Sequence, residues 1–234
     1  QALGLPEIRL MTPDGAATHS QRGVTMSYSL VGIDIESGGL DGYLEIDGQT
    51  VHGAAYYPIL EIGVLVATSD LQKADAFSVG IRQSQEAINR MQPWAKEQHE
   101  KSGLLEVLAE GGGHNYLAES LEDATSYIIQ RLESVGAMPY DSKERTGSIV
   151  FGNNVGFDMN FIGAQMPALA RHFHYRKIDI SSIALLKRTA WQGVGFNPPE
   201  KQYNHTALSD IQESFEELKS YTKTLNTLIE NAQF

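Results

Sequence analysis

Apolar and polar positions follow two different rhythms along this chain. In the first third, apolar residues come in short strand-length runs: "YSLVGIDIE", then "PILEIGVLVAT" over 58–68, then "DAFSVGIRQ" over 75–83. Such runs predict strands with at least one buried face. Between the first two lies "YLEIDGQTVHGAAYY", where Asp47-Gly48 is flanked by β-favouring residues and predicts a small hairpin, an insert near 42–57. From "NRMQPWAKEQHEKSGLLEVLAEGG" onward the period lengthens to that of a helix, and Leu117, Leu121, Ala124, Ile128, Leu132 and Val135 recur at helical spacing. "GSIVFGNN" then reads as a buried strand, "VGFDMNFIGAQMP" as a short helix ended by Pro167, and "RKIDISS" as a strand. The clearest helix closes the chain, with Leu208, Ile211, Phe215, Leu218, Leu225 and Leu228 in one stripe. Strands first, then strand and helix in alternation, predict an α/β fold: a mixed sheet flanked by helices.

Composition narrows the picture. A chain of 234 residues, 41% hydrophobic and 20% charged, is long enough for one domain with a proper core. That domain is expected over 27–234. Residues 1–26 show neither a periodic pattern nor the basic and apolar regions of a secretion signal, and are expected to form a loosely held arm. No run of about 18 apolar residues is present, so no membrane partner is expected. Without cysteine there is no thiolate nucleophile and no zinc-thiolate site, so any metal must be held by oxygen or imidazole. The absence also fits a reducing cytoplasm. A formal charge of -11 argues against coating long nucleic acid through a general basic surface. Basic residues gather in one place, Arg171, Arg176, Lys177, Lys187 and Arg188, which on charge alone reads as a solvated surface.

The candidate chemistry lies in the acids. In "LVGIDIESGGLD", Asp34 and Glu36 share one face of a strand about 6.6 Å apart, while Ile33 and Ile35 face the other way. A wet strand face explains such a pair equally well, but Gly38-Gly39 follows and allows the backbone to turn and open the strand end to a ligand. Asp158 follows a buried-looking strand at the start of a helix, where the dipole favours a carboxylate; a capping or surface role fits it too. Asp210 lies at the margin of the last helix's apolar stripe, and His205 at that helix's entrance, where a plain loop residue fits equally well. Four carboxylates cannot converge in a partly dry site without countercharge. No matching set of Lys or Arg lies nearby in sequence. Mg²⁺ or Mn²⁺ would resolve this, and two such ions suit a phosphoryl displacement, with a histidine taking the proton from the attacking water.

The segments "DIESGGLD", "GNNVGFDMNF" and "HTALSDIQES" resemble the three motifs of the DEDDh 3'-to-5' exonucleases, with histidine five positions before the last aspartate. "ILEIGVLVAT", "INRMQPWAKEQHEKSGLLEV" and "MPALARHFHYRKIDISS" are similar, in the same order, to segments of the oligoribonuclease branch. The resemblance covers roughly residues 30–221. It implies a ribonuclease H-like fold, usually a homodimer, that removes mononucleotides from the 3' end of very short RNA. Carried over, Asp34, Glu36, Asp158 and Asp210 would hold two metal ions and His205 would be the general base. Leu40 and Trp94 would bracket the terminal bases, while Tyr175 and Arg176 would reach into the partner's site. The basic cluster thereby gains a second reading, as a site for the substrate's 5' phosphate.

The chain also departs from that family. The family's GNS step is here Gly152-Asn153-Asn154, so Asn154 replaces a serine of the phosphate cap. The stretch DVSTLKEL becomes "DISSIALL", keeping Ser181 but placing Ala184 where the cap lysine stands. Losing a hydrogen bond to a charged group costs about 1.5–3 kcal/mol, roughly tenfold to over a hundredfold in affinity. Lys187 and Arg188 follow Ala184 at helical spacing and are placed to compensate. These changes leave room for a broader-length RNA or DNA exonuclease of the ribonuclease T or proofreading type. A non-catalytic nucleotide- or RNA-binding module on the same fold is the alternative of another class.

Overall fold

A computed structural model describes residues 28–200 and 206–232. The strands and helices, in chain order, are β1 (Tyr28–Ser37), β2 (Tyr43–Ile46), β3 (Gln49–His52), α1 (Gly53–Tyr56), β4 (Ile59–Ala67), β5 (Lys73–Ile81), α2 (Gln85–Arg90), α3 (Pro93–Lys101), α4 (Leu104–Glu110), β6 (Tyr116–Ala118), α5 (Leu121–Ser134), β7 (Gly147–Gly152), α6 (Val155–Gln165), α7 (Pro167–His172), β8 (Ile178–Asp179), α8 (Ile180–Arg188) and α9 (Ala207–Asn231). Six strands form one mixed sheet in the order β6-β5-β4-β1-β7-β8. β1, β4 and β5 pair antiparallel, while β7 lies parallel to β1 at the sheet's centre. The second sheet is the β2–β3 hairpin, whose turn uses Asp47 and Gly48 with positive φ.

Each face of the sheet packs against its own helices. Val31, Ile33 and Ile35 join Ile62, Val64 and Val66 of β4 beneath α5, α6 and α7, in a core that includes Ile128, Leu132, Phe161 and Leu169. The opposite face carries a smaller core, in which Leu30, Leu65 and Phe151 meet Ile211, Phe215, Leu218 and Tyr221 of α9. Strand alternation therefore puts Gly32, Asp34 and Glu36 on the α9 side. Missing side chains let the helix settle there: a Cβ at Gly32 would come within 2.6 Å of Ile211, and one at Gly63 within 2.2 Å of the Ala207 backbone. Gly63 is the direct partner of Asp34 across the strand pair, so α9 begins on top of the first acid.

Several elements differ from the sequence reading. Leu117 belongs to β6, not to the helical stripe, because Ser120 caps α5 by accepting the Asp123 N–H, and the helix starts only at Leu121. Val135 and Leu228, placed on apolar stripes, are exposed. Pro167 does more than end α6: it is the first residue of α7. The strand read in "RKIDISS" is two residues long, and Ile180 already begins α8. Residues 1–27, which hold the expected arm, lie outside the described residues.

Candidate active site

Asp34 and Glu36 stand at the C-terminal end of β1, and Asp210 stands in the first turn of α9. Ligand oxygens of the three lie within 4.8 Å of one another. Asp158, in the first turn of α6, is buried, and its Oδ1 accepts the Ile35 N–H at 3.0 Å. That contact replaces the capping or surface role considered above with a tie between α6 and β1. It also brings the fourth carboxylate close enough for its charge to raise the pKa of Asp34. His205 lies outside the described residues. The residue after it, Thr206, caps α9 by accepting the Ser209 N–H.

The electrostatics of this cluster are those of crowded, largely buried acids. Burial, then Asp158, Glu36, Asp210 and Glu61, hold Asp34 well above the usual carboxylate range. Burial and then Glu61, Asp210 and Asp158 push Glu36 up to about 8. Burial raises Asp158 as well, against the Ile35 N–H, which favours its ionised form. Carboxylates that can ionise only at such cost, with oxygens converging on one spot, form a donor set that fits a hard divalent cation.

A cleft of about 520 Å³ opens beside Glu36, lined by Leu40, Trp94, His99 and Phe157 among others. Leu40 and Trp94 are 58% and 65% exposed, unusual for apolar side chains that flank a charged site. Leu40 is fixed by its N–H, which donates to Gln92 Oε1 at 3.2 Å, and the Gln92 N–H in turn reaches the Gly38 carbonyl at 2.8 Å. Gly38 and Gly39 serve close packing and not a left-handed turn. A Cβ on either would lie 2.6 Å from Pro58 or Tyr57, and neither has positive φ.

The remaining predicted residues are not among the converging oxygens. Asn154 is exposed with φ 52°, and its N–H donates to both Asp179 Oδ1 and Ser181 Oγ at 3.0 Å. Ala184, Lys187 and Arg188 line one depression together with Glu217 and Tyr221. Tyr175, 71% exposed, stacks on His174, and the Arg176 guanidinium lies 5.2 Å from its ring centroid. Three residues escaped the sequence reading. Glu61 is the cross-strand partner of Glu36; His99 donates from Nε2 to the Ser37 carbonyl at 2.9 Å with Nδ1 3.9 Å from Glu36; His114 approaches Glu61. Burial lowers the pKa of His99. Their signal is pairing across strands and loops, which spacing along one segment does not carry.

Among the described residues, no helix is long and apolar enough to cross a membrane. No family model matches the chain. Its fold is similar to that of exonuclease I from Methylocaldum szegediense, with TM-score 0.57 and 15% identity over 87% of this chain and 43% of that one. It is also similar to the zinc-bound Escherichia coli exonuclease I complex with single-stranded DNA, with TM-score 0.54, 14% identity and coverage of 87% and 42%. This chain spans less than half of those proteins, and the likeness there is one of fold. The oligoribonuclease of Leifsonia xyli subsp. xyli is 35% identical over 200 residues, 85% of this chain and 84% of that protein. Identity at that level, running through most of both chains, is kinship and not fold alone: the chain belongs to the oligoribonuclease family and is a hydrolytic 3'-to-5' exoribonuclease.

Proposed function

We propose that this protein trims short RNA from its 3' end to nucleoside 5'-monophosphates, with Asp34, Glu36, Asp158 and Asp210 holding two Mg²⁺ or Mn²⁺ ions. The observation that carries the assignment is the gathering of the Asp34, Glu36 and Asp210 oxygens within 4.8 Å. Bound there, divalent cations supply the charge that steadies the attacking and leaving oxygens of a phosphoryl displacement. Leu40 and Trp94 bracket the terminal base in the cleft, which sets the 3' phosphodiester beside Glu36. His205, directly before the cap of α9, is the general base that takes a proton from water. Cytoplasmic action belongs to this reading, which the cysteine-free composition fits.

The finer reading concerns substrate length. Asn154 and Ala184 weaken the cap that would hold a 5' phosphate, so dinucleotides are favoured less than in a typical oligoribonuclease. Lys187 and Arg188 share Ala184's depression and supply part of the missing charge. Tyr175 is exposed and carries the Arg176 guanidinium on its ring, free to serve a partner's site in a homodimer. The altered cap also favours a second reading, a broader-length RNA or DNA exonuclease.

A length series separates these readings. Pure protein with Mn²⁺ is mixed with 5'-labelled oligomers of two, seven and twenty nucleotides, in RNA and in DNA. Metal-dependent 3' shortening of short RNA with little length preference is expected. No shortening of any oligomer would sink the assignment, and metal-dependent binding without cleavage would favour a non-catalytic module. Equal shortening of the twenty-nucleotide RNA and DNA would favour the broader enzyme.

A further inference from the structure

The strand row that holds Glu36 continues sideways across the sheet: Glu36 pairs with Glu61, and Glu61 with Gly80 of β5. No role assigned so far uses Glu61, yet its side chain is buried beside the acids. Both of its oxygens are engaged. Oε2 accepts the Ala207 N–H at 3.2 Å, and Oε1 lies 3.4 Å from His114 Nε2. His114 arrives from outside the sheet, on a loop between α4 and β6. Three successive glycines with positive φ, Gly111, Gly112 and Gly113, deliver it. Its imidazole lies over Gly80, where a Cβ would stand 2.7 Å from Nδ1, and Nδ1 donates to the Gly112 carbonyl at 3.2 Å. Both ring nitrogens thus face oxygens.

We infer that Glu61 and His114 are a positioning pair that holds the start of α9 by its Ala207 amide and so sets Asp210 against Asp34 and Glu36. Ala207 and Asp210 are three residues apart in the same first turn, so a shift of the amide moves the carboxylate. The N-terminal amides of a helix need partners, and here a buried side chain from a neighbouring strand supplies one. His114 orients Glu61 from the far side. The pair acts through the backbone of α9, beside the charge with which Glu61 already raises Glu36. The inference rests on the reading of Asp210 as a metal ligand.

The test compares the intact protein with Glu61→Gln, His114→Ala, His114→Gln and Asp210→Asn. Three quantities are read: hydrogen exchange of residues 206–212 without metal, Mn²⁺ affinity from the paramagnetic resonance of free Mn²⁺, and kcat and KM on a short RNA. Glu61→Gln and His114→Ala are expected to speed exchange in that segment and to weaken Mn²⁺ affinity and kcat roughly 10- to 100-fold, with KM within about twofold. His114→Gln keeps an N–H donor toward Glu61 and is expected to recover most of the loss. Unchanged exchange and unchanged Mn²⁺ affinity in both variants would overturn the inference, as would a lower melting temperature with neither affected. If either fails to fold, Gly80→Ala displaces the imidazole from the other side and is read in the same way. Asp210→Asn keeps the two ideas apart: if it too leaves Mn²⁺ binding unchanged, the ligand assignment has failed, and if it alone weakens binding, only the positioning pair has.

Discussion

The acid cluster and the cap region are built in opposite ways. Asp34, Glu36 and Asp158 are held by the central strands and by a buried hydrogen bond, and Asp210 rides on a helix that two side-chain-free positions admit to the sheet. Asn154, Ser181, Tyr175 and Arg176 stand on turns and helix ends and Ala184 in the middle of the short α8, several of them exposed. Shifting any acid disturbs the core, whereas changing a cap residue disturbs little. The chemistry is thus tied to the fold's stability, and under the proposed function the residues that would set substrate length are free to vary.

The largest expected effect strikes the cluster. Asp210→Ala should reduce turnover to background, and His205→Ala should lower kcat by roughly 10²- to 10⁴-fold; a nearly active variant of either, measured on 5'-labelled short RNA, rejects its role. Next comes the cleft beside Glu36. Trp94→Ala removes a base-stacking surface worth about 1–3 kcal/mol, so KM should rise roughly fivefold to a hundredfold with kcat little changed. At the cap, Ala184→Lys adds a charged donor worth about 1.5–3 kcal/mol. The preference for dinucleotides over heptamers should rise about tenfold, and an unchanged ratio would mean that position 184 does not reach the phosphate.

The smallest effect is one of stability. The folded pKa values of Asp34 and Glu36 are raised, the latter to about 8 from an ordinary 4.5. Between those limits the folded state binds more protons than the unfolded one. Metal-free protein therefore loses stability as pH rises from about 4.5 to 8, and levels off above. Its melting temperature should be higher at pH 5.5 than at pH 8, and saturating Mn²⁺ should raise it most at pH 8. Melting curves that ignore pH would show that the acids are not crowded in solution.

Much of this was legible in the chain because it follows local periods. Alternation in β1 put Asp34 and Glu36 on one face, and the stripe in α9 set Asp210 at its margin. What escaped depends on who meets whom. Glu61 looked like one polar interruption in an apolar run until strand pairing set it opposite Glu36. His99 and His114 sit in a helix and a loop whose own spacing says nothing of the sheet they face. Leu117 misled for a related reason: four residues before Leu121 fits a helix, but Asp123 binds the Glu119 N–H and the Tyr116 hydroxyl, and the chain there stays extended as the partner of β5.

The hairpin beside Leu40 begins and ends at one point, since the Gly53 N–H donates to the Gly42 carbonyl at 2.7 Å. A detour whose ends already meet is a cassette: it can be lengthened, shortened or exchanged while the junction stays closed. Asp41, just before it, is anchored separately by Asn160 at 2.8 Å. The mouth of the cleft can therefore be refitted over evolutionary time, or at the bench, without retuning the machinery behind it.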